Sequence, residues 1–258
     1  MSAYSRIAEM LSNAGEKDGR FPPTDLYNEG WMLRLCLDWF STNKGSQSAL
    51  RFLGESSWYS EALLPSVFLA RSRGDSLAES WTHADGVIGD FDIGKKNVGG
   101  LTLRADARQL VVTEAKMFSK LSSGVTNARY YDQAARNVAC IAEVLSRAEQ
   151  SPDSLERIGF FVVAPESRIA EGIFDEQLRV PNIRKVVERR IEEYDEPEKR
   201  EWFEARFLPL LDVADIGAVS WETLLDDIRR EDKAAFDYLG SFYEKCILYN
   251  EWVGRRYS

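Results

Sequence analysis

The spacing of apolar residues divides the chain into helical and extended segments. Residues 3 to 13 have the pattern of a short amphipathic helix, and the stretch DLYNEGWMLRLCLDWF predicts a second helix that Thr24 can cap. Glu29 is the polar exception in that stretch, and the helix dipole also favours an acid in a first turn. Residues 46 to 70 are mixed and aromatic, which predicts short helices packed under the core.

The period of the pattern changes to two in the centre of the chain. Alternating and β-branched residues predict three antiparallel strands near 80–92, 100–105 and 109–117. The segments GKKNVGG and RADAR predict the turns between these strands. We therefore expect a three-stranded meander with a short middle strand.

The second half of the chain returns to alternating helix and strand. The stretch SGVTNARYYDQAARNVACIAEVLSRAEQ predicts a long helix, and RIGFFVVAP predicts a strand that is buried on both faces. Helices are expected near 181–195, 198–210 and 232–254, and IGAVSWETLLDDI has the pattern of a strand that runs into a helix. No internal repeat is visible.

Together these segments predict one α/β domain over residues 1–258. Its core is expected over residues 24–165, with a mixed central sheet. Residues 166–258 are expected to form a mainly helical extension with one further strand near 216–221.

The composition of the 258 residues predicts a folded protein without a membrane span. Hydrophobic residues make up 44% of the chain, yet no run approaches the ~18 apolar residues of a membrane helix. The polar start is no secretory signal, and Cys36, Cys140 and Cys246 form no CxxC pair, so we expect reduced thiols and a cytoplasmic location. One histidine and scattered cysteines argue against a structural zinc site.

The net charge of −9 argues against a general basic surface for nucleic acid. The charge is uneven, however, because residues 85–136 carry eight Lys and Arg against six Asp and Glu. The centre of the chain is therefore locally basic within an acidic protein.

Two carboxylates and a lysine form the most informative polar group. Glu114 and Lys116 end an apolar strand, and a period of two puts them on one face. Asp85 lies in the first strand of the predicted meander. Two converging carboxylates repel each other unless a hard cation lies between them, and Mg²⁺ takes such oxygen ligands. A nearby lysine can orient a water and offset charge on a phosphate. The competing interpretation is an exposed strand-end ion pair.

Two other features carry less weight. The segment GDFDIGKK fits GxxxxGK, but Lys96 stands where a phosphate-binding loop needs Ser or Thr, and strand sequence follows instead of a helix. We therefore interpret it as a hairpin turn. His83 is the only histidine, and no GxSxG motif is present. A lone strand histidine is more often structural, although His83 faces the same side as Asp85 and could hydrogen-bond a ligand carboxylate.

The order of these residues resembles the PD-(D/E)XK nuclease superfamily. The matching features are Asp85, the Glu114-Ala115-Lys116 triplet at the end of an apolar strand, and a helix that begins near the stretch YYDQ. The predicted elements over residues 25–164 also follow the αβββαβ core of that superfamily. The resemblance leaves the C-terminal part of the chain unexplained.

The resemblance implies a restriction-endonuclease-like fold and Mg²⁺-dependent hydrolysis of phosphodiester bonds, with DNA as the expected substrate and Mn²⁺ as a substitute ion. In the superfamily the Asp and the Glu of ExK hold the metal ion, which implies this role for Asp85 and Glu114, and the lysine, here Lys116, assists the water. Several branches add a Glu from the first core helix and a Gln from the helix after ExK. Glu29 stands in the place of a further metal ligand, and Gln133 in the place of a catalytic positioning residue.

The chain departs from the superfamily pattern in two ways. The residue before Asp85 is Ala rather than Pro, and 29 positions separate Asp85 from the ExK triplet, a long gap that the extra hairpin strand fills. Asp90, Asp92 and Asp106 are rival candidates for the upstream acid. Asp90 points to the other face in a regular strand, and the other two fall in turns, where Asp is expected anyway.

The loop between the ExK triplet and the following helix is rich in hydrogen-bond donors. Lys120, Ser123 and Arg129 are candidate contacts to substrate phosphates, together with Ser122 and Asn127. A solvated loop would have a similar composition.

Two alternatives remain open. A degenerate member of the same fold would bind nucleic acid or a protein without cutting, and an unrelated interaction protein would use the acidic helices near 188–232. The expected partner is nucleic acid, with DNA favoured over RNA. No membrane partner is expected. Because cutting both strands of a duplex often takes two copies of such a site, a homodimer is also left open. The sequence does not distinguish DNA from RNA, or duplex from single strand.

Overall fold

The computed structural model describes residues 2–17, 19–94 and 99–254, with side chains to residue 251. It has an α/β fold in which helices cover both faces of a five-stranded mixed sheet. The strands are β1 (Ser57–Leu64), β2 (Thr82–Gly89), β3 (Phe91–Ile93), β4 (Leu101–Leu103), β5 (Gln109–Ala115), β6 (Arg157–Ala164) and β7 (Asp215–Ser220).

The helices fall into a short N-terminal group, one central helix and a C-terminal group. They are α1 (Ala3–Ser12), α2 (Glu29–Thr42), α3 (Gln133–Arg147), α4 (Glu166–Ala170), α5 (Asp175–Leu178), α6 (Val180–Tyr194), α7 (Pro197–Trp202), α8 (Leu208–Val213), α9 (Trp221–Glu231) and α10 (Lys233–Gly254). A π-helical turn, Phe203–Phe207, joins α7 to α8. In the described part of the chain, no helix is both long enough and apolar enough to cross a bilayer.

The sheet has the order β1-β2-β5-β6-β7. Strands β1, β2 and β5 pair in antiparallel fashion, whereas β6 is parallel to β5 and β7 is parallel to β6. Strand β5 therefore lies in the middle, where the antiparallel and the parallel parts of the sheet meet. Every residue of β5 is buried, which explains its nearly continuous apolar sequence.

The predicted meander is wrong in its middle strand. Strand β4 pairs only with β3, in a separate two-stranded sheet, and β2 pairs directly with β5. The turn predicted from GKKNVGG falls largely on residues 95–98, which lie outside the described residues. The third antiparallel strand is β1, which lies in the region predicted to be short helices. Strand β1 is at the sheet edge and mostly half-exposed, so its sequence lacks a clean alternation.

Two helices begin later than their sequence patterns predicted. Helix α2 begins at Glu29, where Asn28 Oδ1 accepts a hydrogen bond from Trp31 N at 3.0 Å, so Thr24 is not its cap. Helix α3 begins at Gln133, capped by Asp132, and the ten residues before it form a loop. Asn and Asp bind free N–H groups at helix starts, so they end the loop at these positions.

Two hydrophobic cores lie on the two faces of the sheet. Helices α3 and α6 and the π-helical turn cover one face, and α2, α9 and α10 cover the other. Helix α2 packs so closely on β2 that a Cβ at Gly86 would lie 2.9 Å from Leu37 Cδ1. The residues after β6 therefore complete the sheet and supply helices to both faces.

The Asp90 carboxylate binds the start of β5. Asp90 accepts hydrogen bonds from Ser56 Oγ at 2.8 Å, from Arg108 N at 2.8 Å and from Gln109 N at 3.1 Å. We expect Asp90→Ala to lower the free energy of unfolding by about 1–3 kcal/mol, because these donors lose their acceptor.

The matched control is Asp92→Ala, measured by the same urea titration. Asp92 is 72% exposed and, among the described residues, pairs with Arg104 alone, so its loss should change stability by less than about 0.5 kcal/mol. Equal effects of the two substitutions would contradict the structural role of Asp90.

Candidate active site at the end of β5

The pairing of β2 with β5 brings Asp85 and Glu114 side by side. Gly86 is the partner of Thr113 in the ladder, so the next position in the same register sets Asp85 opposite Glu114. Ala115 N also donates a hydrogen bond to Asp85 Oδ2 at 2.8 Å. Since the two strands are direct neighbours, the approach of the two acids needs neither a bent sheet nor a short middle strand.

The Glu114 carboxylate is buried, and only one of its oxygens is paired. Lys116 Nζ donates to Oε1 at 2.5 Å, and Gln133 Nε2 donates to the same oxygen. The residue is 2% exposed, and Oε2 has no hydrogen-bond partner among the described residues. A buried carboxylate oxygen without a partner is uncommon, and it suits a hard cation as a ligand.

Two hydrogen bonds hold the backbone of Lys116 in place, one to strand β6 and one to a tryptophan side chain. Lys116 N donates to Val163 O of β6 at 2.8 Å, and its O accepts from Trp221 Nε1 at the start of α9 at 3.0 Å. Strand β5 ends at Ala115, so Lys116 lies just beyond its end. The Lys116 side chain is 13% exposed. The ammonium group is therefore fixed at the rim of the sheet, beside Glu114.

The first residue of α3, Gln133, joins the loop before this helix to the Glu114 carboxylate. Gln133 Oε1 accepts from Ser122 N at 3.1 Å, and Gln133 N donates to Ser122 O at 3.0 Å. Its amide nitrogen is thereby directed at Glu114. Gln133 thus acts as a bridge between the loop and the carboxylate.

Burial and the charge of Asp85 raise the pKa of Glu114, Lys116 lowers it, and a hydrogen bond to Asp85 raises it; the net pKa is about 8. The carboxyl group is consequently protonated over much of the neutral range. A bound cation would require its deprotonation, so metal binding at this position is expected to release a proton.

Glu29 is not brought to this pair. It opens α2, on the face of the sheet opposite α3, and within the described residues no group of three or more His, Cys, Asp or Glu side chains could hold a metal ion. The charge of Glu29 acts instead on α10: burial raises the pKa of the Cys246 thiol to about 12, and Glu29 adds to that shift.

The rival acids lie away from Glu114. Asp90 binds the start of β5, Asp92 pairs with Arg104, and Asp106 is exposed in the turn before β5. All three are near the opposite end of that strand. Asp85 is therefore the upstream acid that the fold places next to Glu114.

The loop from Lys116 to α3 exposes the predicted phosphate contacts. Lys120, Ser123 and Arg129 are exposed, and neither of the two cations has an ion-pair partner in the described part of the chain. The loop is compact, since a Cβ at Gly124 would lie 2.2 Å from Arg129 O. Asn127 has a structural contact instead, because its Nδ2 donates to Ala78 O at 2.7 Å.

Sequence reasoning missed a polar rim on the edge strand. Glu61 of β1 lies across from Asp85, since its neighbour Ser60 pairs with Gly86, and it has a left-handed φ of 57°. Its Oε2 is 4.0 Å from Nδ1 of His83, whose side chain is 64% exposed. Because β1 itself was not predicted, no signal in the sequence pointed to Glu61.

Comparisons of the chain with protein-family models, with curated proteins and with solved structures gave no match. The functional interpretation therefore depends on the geometry of this site.

The raised pKa of Glu114 predicts a specific pH dependence of stability. A carboxyl group whose pKa is raised on folding stabilises the protein fully below its ordinary pKa of 4.5, and this contribution is lost as the pH rises toward about 8. Glu79, whose pKa burial also raises, contributes in the same direction. We therefore expect Glu114→Gln to reduce, without abolishing, the fall in the free energy of unfolding between about pH 5 and about pH 8.

The measurement is urea unfolding of wild type and Glu114→Gln across that pH range. An identical slope for the two proteins would show that Glu114 has an ordinary pKa in the folded state.

Proposed function

We propose that this chain is a Mg²⁺-dependent nuclease that hydrolyses phosphodiester bonds, with DNA as the expected substrate. The observation that carries the proposal is the buried Glu114 carboxyl group, which lies beside Asp85, pairs with Lys116 through Oε1 and, in the described part of the chain, has no donor to Oε2. Paired acids with an adjacent lysine at the end of a strand are the arrangement expected from the PD-(D/E)XK resemblance. Gln133 at the start of the next helix adds to that agreement.

The order of the elements supports the same assignment. Helix α2, strands β1, β2 and β5, helix α3 and strand β6 follow one another as αβββαβ, with the β3-β4 hairpin inserted between β2 and β5. The insertion accounts for the long gap between Asp85 and Glu114. The C-terminal strand and helices are additions to this order.

The residues present fit a hard divalent cation. Asp85 and Glu114 would hold it, and a main-chain carbonyl, water and substrate phosphate are the usual source of the remaining ligands. When bound, such an ion activates water and neutralises charge on the phosphate. Glu29, which lies on the opposite face of the sheet, is not part of the proposed site.

The protein's own groups provide the remaining steps. Lys116, fixed by β6 and α9, is positioned to orient the attacking water and to offset negative charge as it develops on the phosphate. Gln133 and Lys116 both donate to Glu114 Oε1, so neither of them binds the other oxygen. Lys120, Ser123 and Arg129 are the proposed contacts to the phosphates of the bound strand.

One observation favours a second candidate function, a binding module of the same fold that does not cut. The described residues contain no group of three acids at the site. Lys116 also binds Oε1 of Glu114, one of the two oxygens that a metal ion would need. A cleavage assay separates the two functions, because both bind nucleic acid and only the first hydrolyses it. If duplex DNA is cut on both strands, a homodimer is the expected active form.

The first test is cleavage of labelled single-stranded and duplex DNA and RNA in Mg²⁺. We expect Glu114→Gln and Lys116→Ala to lower the rate by at least about a hundredfold, because each removes a group that acts on the water or the phosphate. Asp92→Asn is the control and should cut as wild type does. Activity that survives both site substitutions would rule out this site.

The second test is metal binding by calorimetry with a short duplex present, since a phosphate supplies ligands that the protein lacks. Wild type should bind Mg²⁺ or Mn²⁺, and Asp85→Asn and Glu114→Gln should each lose that binding. Glu29→Gln, on the opposite face of the sheet, is the control and should bind the ion as wild type does. Unchanged binding in the Asp85 and Glu114 variants would place the metal elsewhere.

A further inference from the structure

A tryptophan and an arginine form an exposed pair on helix α2. Trp31 is 41% exposed, although most of the other apolar residues of this helix are buried. Arg34, one turn further along, places its Cζ 5.1 Å from the centre of the Trp31 ring. A cation over an indole face holds both side chains in a defined arrangement.

Strand β1 fixes the arginine of this pair. Arg34 Nε donates to Ser60 Oγ at 2.9 Å, and its Nη2 lies 3.5 Å from Glu61 Oε1. The arginine side chain is 27% exposed. The guanidinium is thus oriented by three contacts, to the indole, the hydroxyl and the carboxylate, and it remains accessible to solvent.

The pair lies beside the candidate active site. Ser60 is the partner of Gly86 in the ladder, and Glu61 is level with Asp85 on the neighbouring strand. Adjacent strands lie about 4.8 Å apart, so β1 is roughly 10 Å from the strand that carries Glu114. Helix α2 covers the face of the sheet opposite α3, so a substrate strand whose phosphate is at the Asp85–Glu114 pair would reach Trp31 and Arg34 by passing round the β1 edge.

Polar groups continue from Arg34 round the edge of the sheet. Glu61 faces Arg34 with one oxygen and His83 with the other. His83 is two residues before Asp85 on β2, and its side chain is exposed. A bound strand could follow this edge from the indole to the paired acids.

An exposed indole beside a fixed guanidinium has the chemistry of a nucleotide clamp. A base stacks on an aromatic ring or on a guanidinium plane, and the cation also attracts a phosphate. A base in a duplex is already stacked on its neighbours, so its faces are not free. Only an unpaired base can offer a face to Trp31.

We infer that Trp31 and Arg34 bind one unpaired nucleotide of the substrate strand next to the phosphate that is cut. The inference rests on the proposed function, and it names the substrate as single-stranded nucleic acid or a duplex with an unpaired end. Trp31 supplies the stacking surface, and Arg34 supplies the charge.

The test measures binding of labelled oligonucleotides by fluorescence anisotropy, on the full chain with Ca²⁺ in place of Mg²⁺. The ligands are a short single strand, the matched duplex, and single strands in which one abasic position is moved along the sequence. The variants are Trp31→Ala, Trp31→Phe and Arg34→Ala. The control is Tyr238→Ala, which removes an aromatic that is 56% exposed on α10.

Wild type should bind the single strand more tightly than the duplex. Trp31→Ala should weaken binding roughly tenfold, and Trp31→Phe should restore most of the loss because a phenyl ring also stacks. One abasic position should weaken wild type by a similar factor and have no effect on Trp31→Ala, since the missing base then has no ring to contact. Arg34→Ala should weaken binding and reduce its dependence on salt.

Three results would overturn the clamp: no binding by wild type, tighter binding of the duplex, or an abasic penalty that persists in Trp31→Ala. Cleavage of the same strands in Mg²⁺ separates this inference from the proposed function. If wild type and Trp31→Ala bind and cleave the strands equally well, the clamp is refuted and the proposed nuclease function stands. Trp31-dependent binding without cleavage removes the nuclease and leaves the clamp.

Discussion

The burial of one carboxylate in the central strand is the constraint around which the site is built. Glu114 lies on β5, every residue of which is buried, with a second acid, Asp85, directly across the ladder. A buried charge of this kind costs free energy unless it is neutralised or paired. The fold supplies two donors, from Lys116 and Gln133, and both bind the same oxygen. Among the described residues, no donor binds the other oxygen, which lies beside the second acid.

Each of those donors is held by a different part of the chain. Strand β6 and the tryptophan at the start of α9 fix the backbone of Lys116, and the loop before α3 fixes the amide of Gln133. Residues far apart in sequence therefore set the geometry of Glu114 and Lys116, which are two positions apart. The C-terminal segment, which the resemblance to nucleases does not explain, contributes directly to that geometry through Trp221.

The edge of the sheet has a different character from its centre. Strand β1 is mostly half-exposed, and Glu61 adopts a left-handed conformation that strands rarely contain. Its carboxylate lies between Arg34 and His83, with one oxygen toward each. The buried acids and this exposed rim together present a charged, partly apolar surface at one end of the sheet, in a protein whose net charge is −9.

Local patterns determined the apolar strand β5, the ExK triplet at its end and most of the helices, because periodicity and burial leave a direct trace in the residue types. Strand parity favours Asp85 over Asp90 as the upstream acid; in the fold, Asp85 lies across from Glu114 and Asp90 binds the start of β5. Strand β1 and the direct pairing of β2 with β5 were decided only by tertiary structure, because an edge strand shows weak alternation and because pairing depends on contacts between distant segments. The open oxygen of Glu114, the separation of Glu29 from it, and the position of Trp31 likewise follow from packing, which no spacing along the chain encodes.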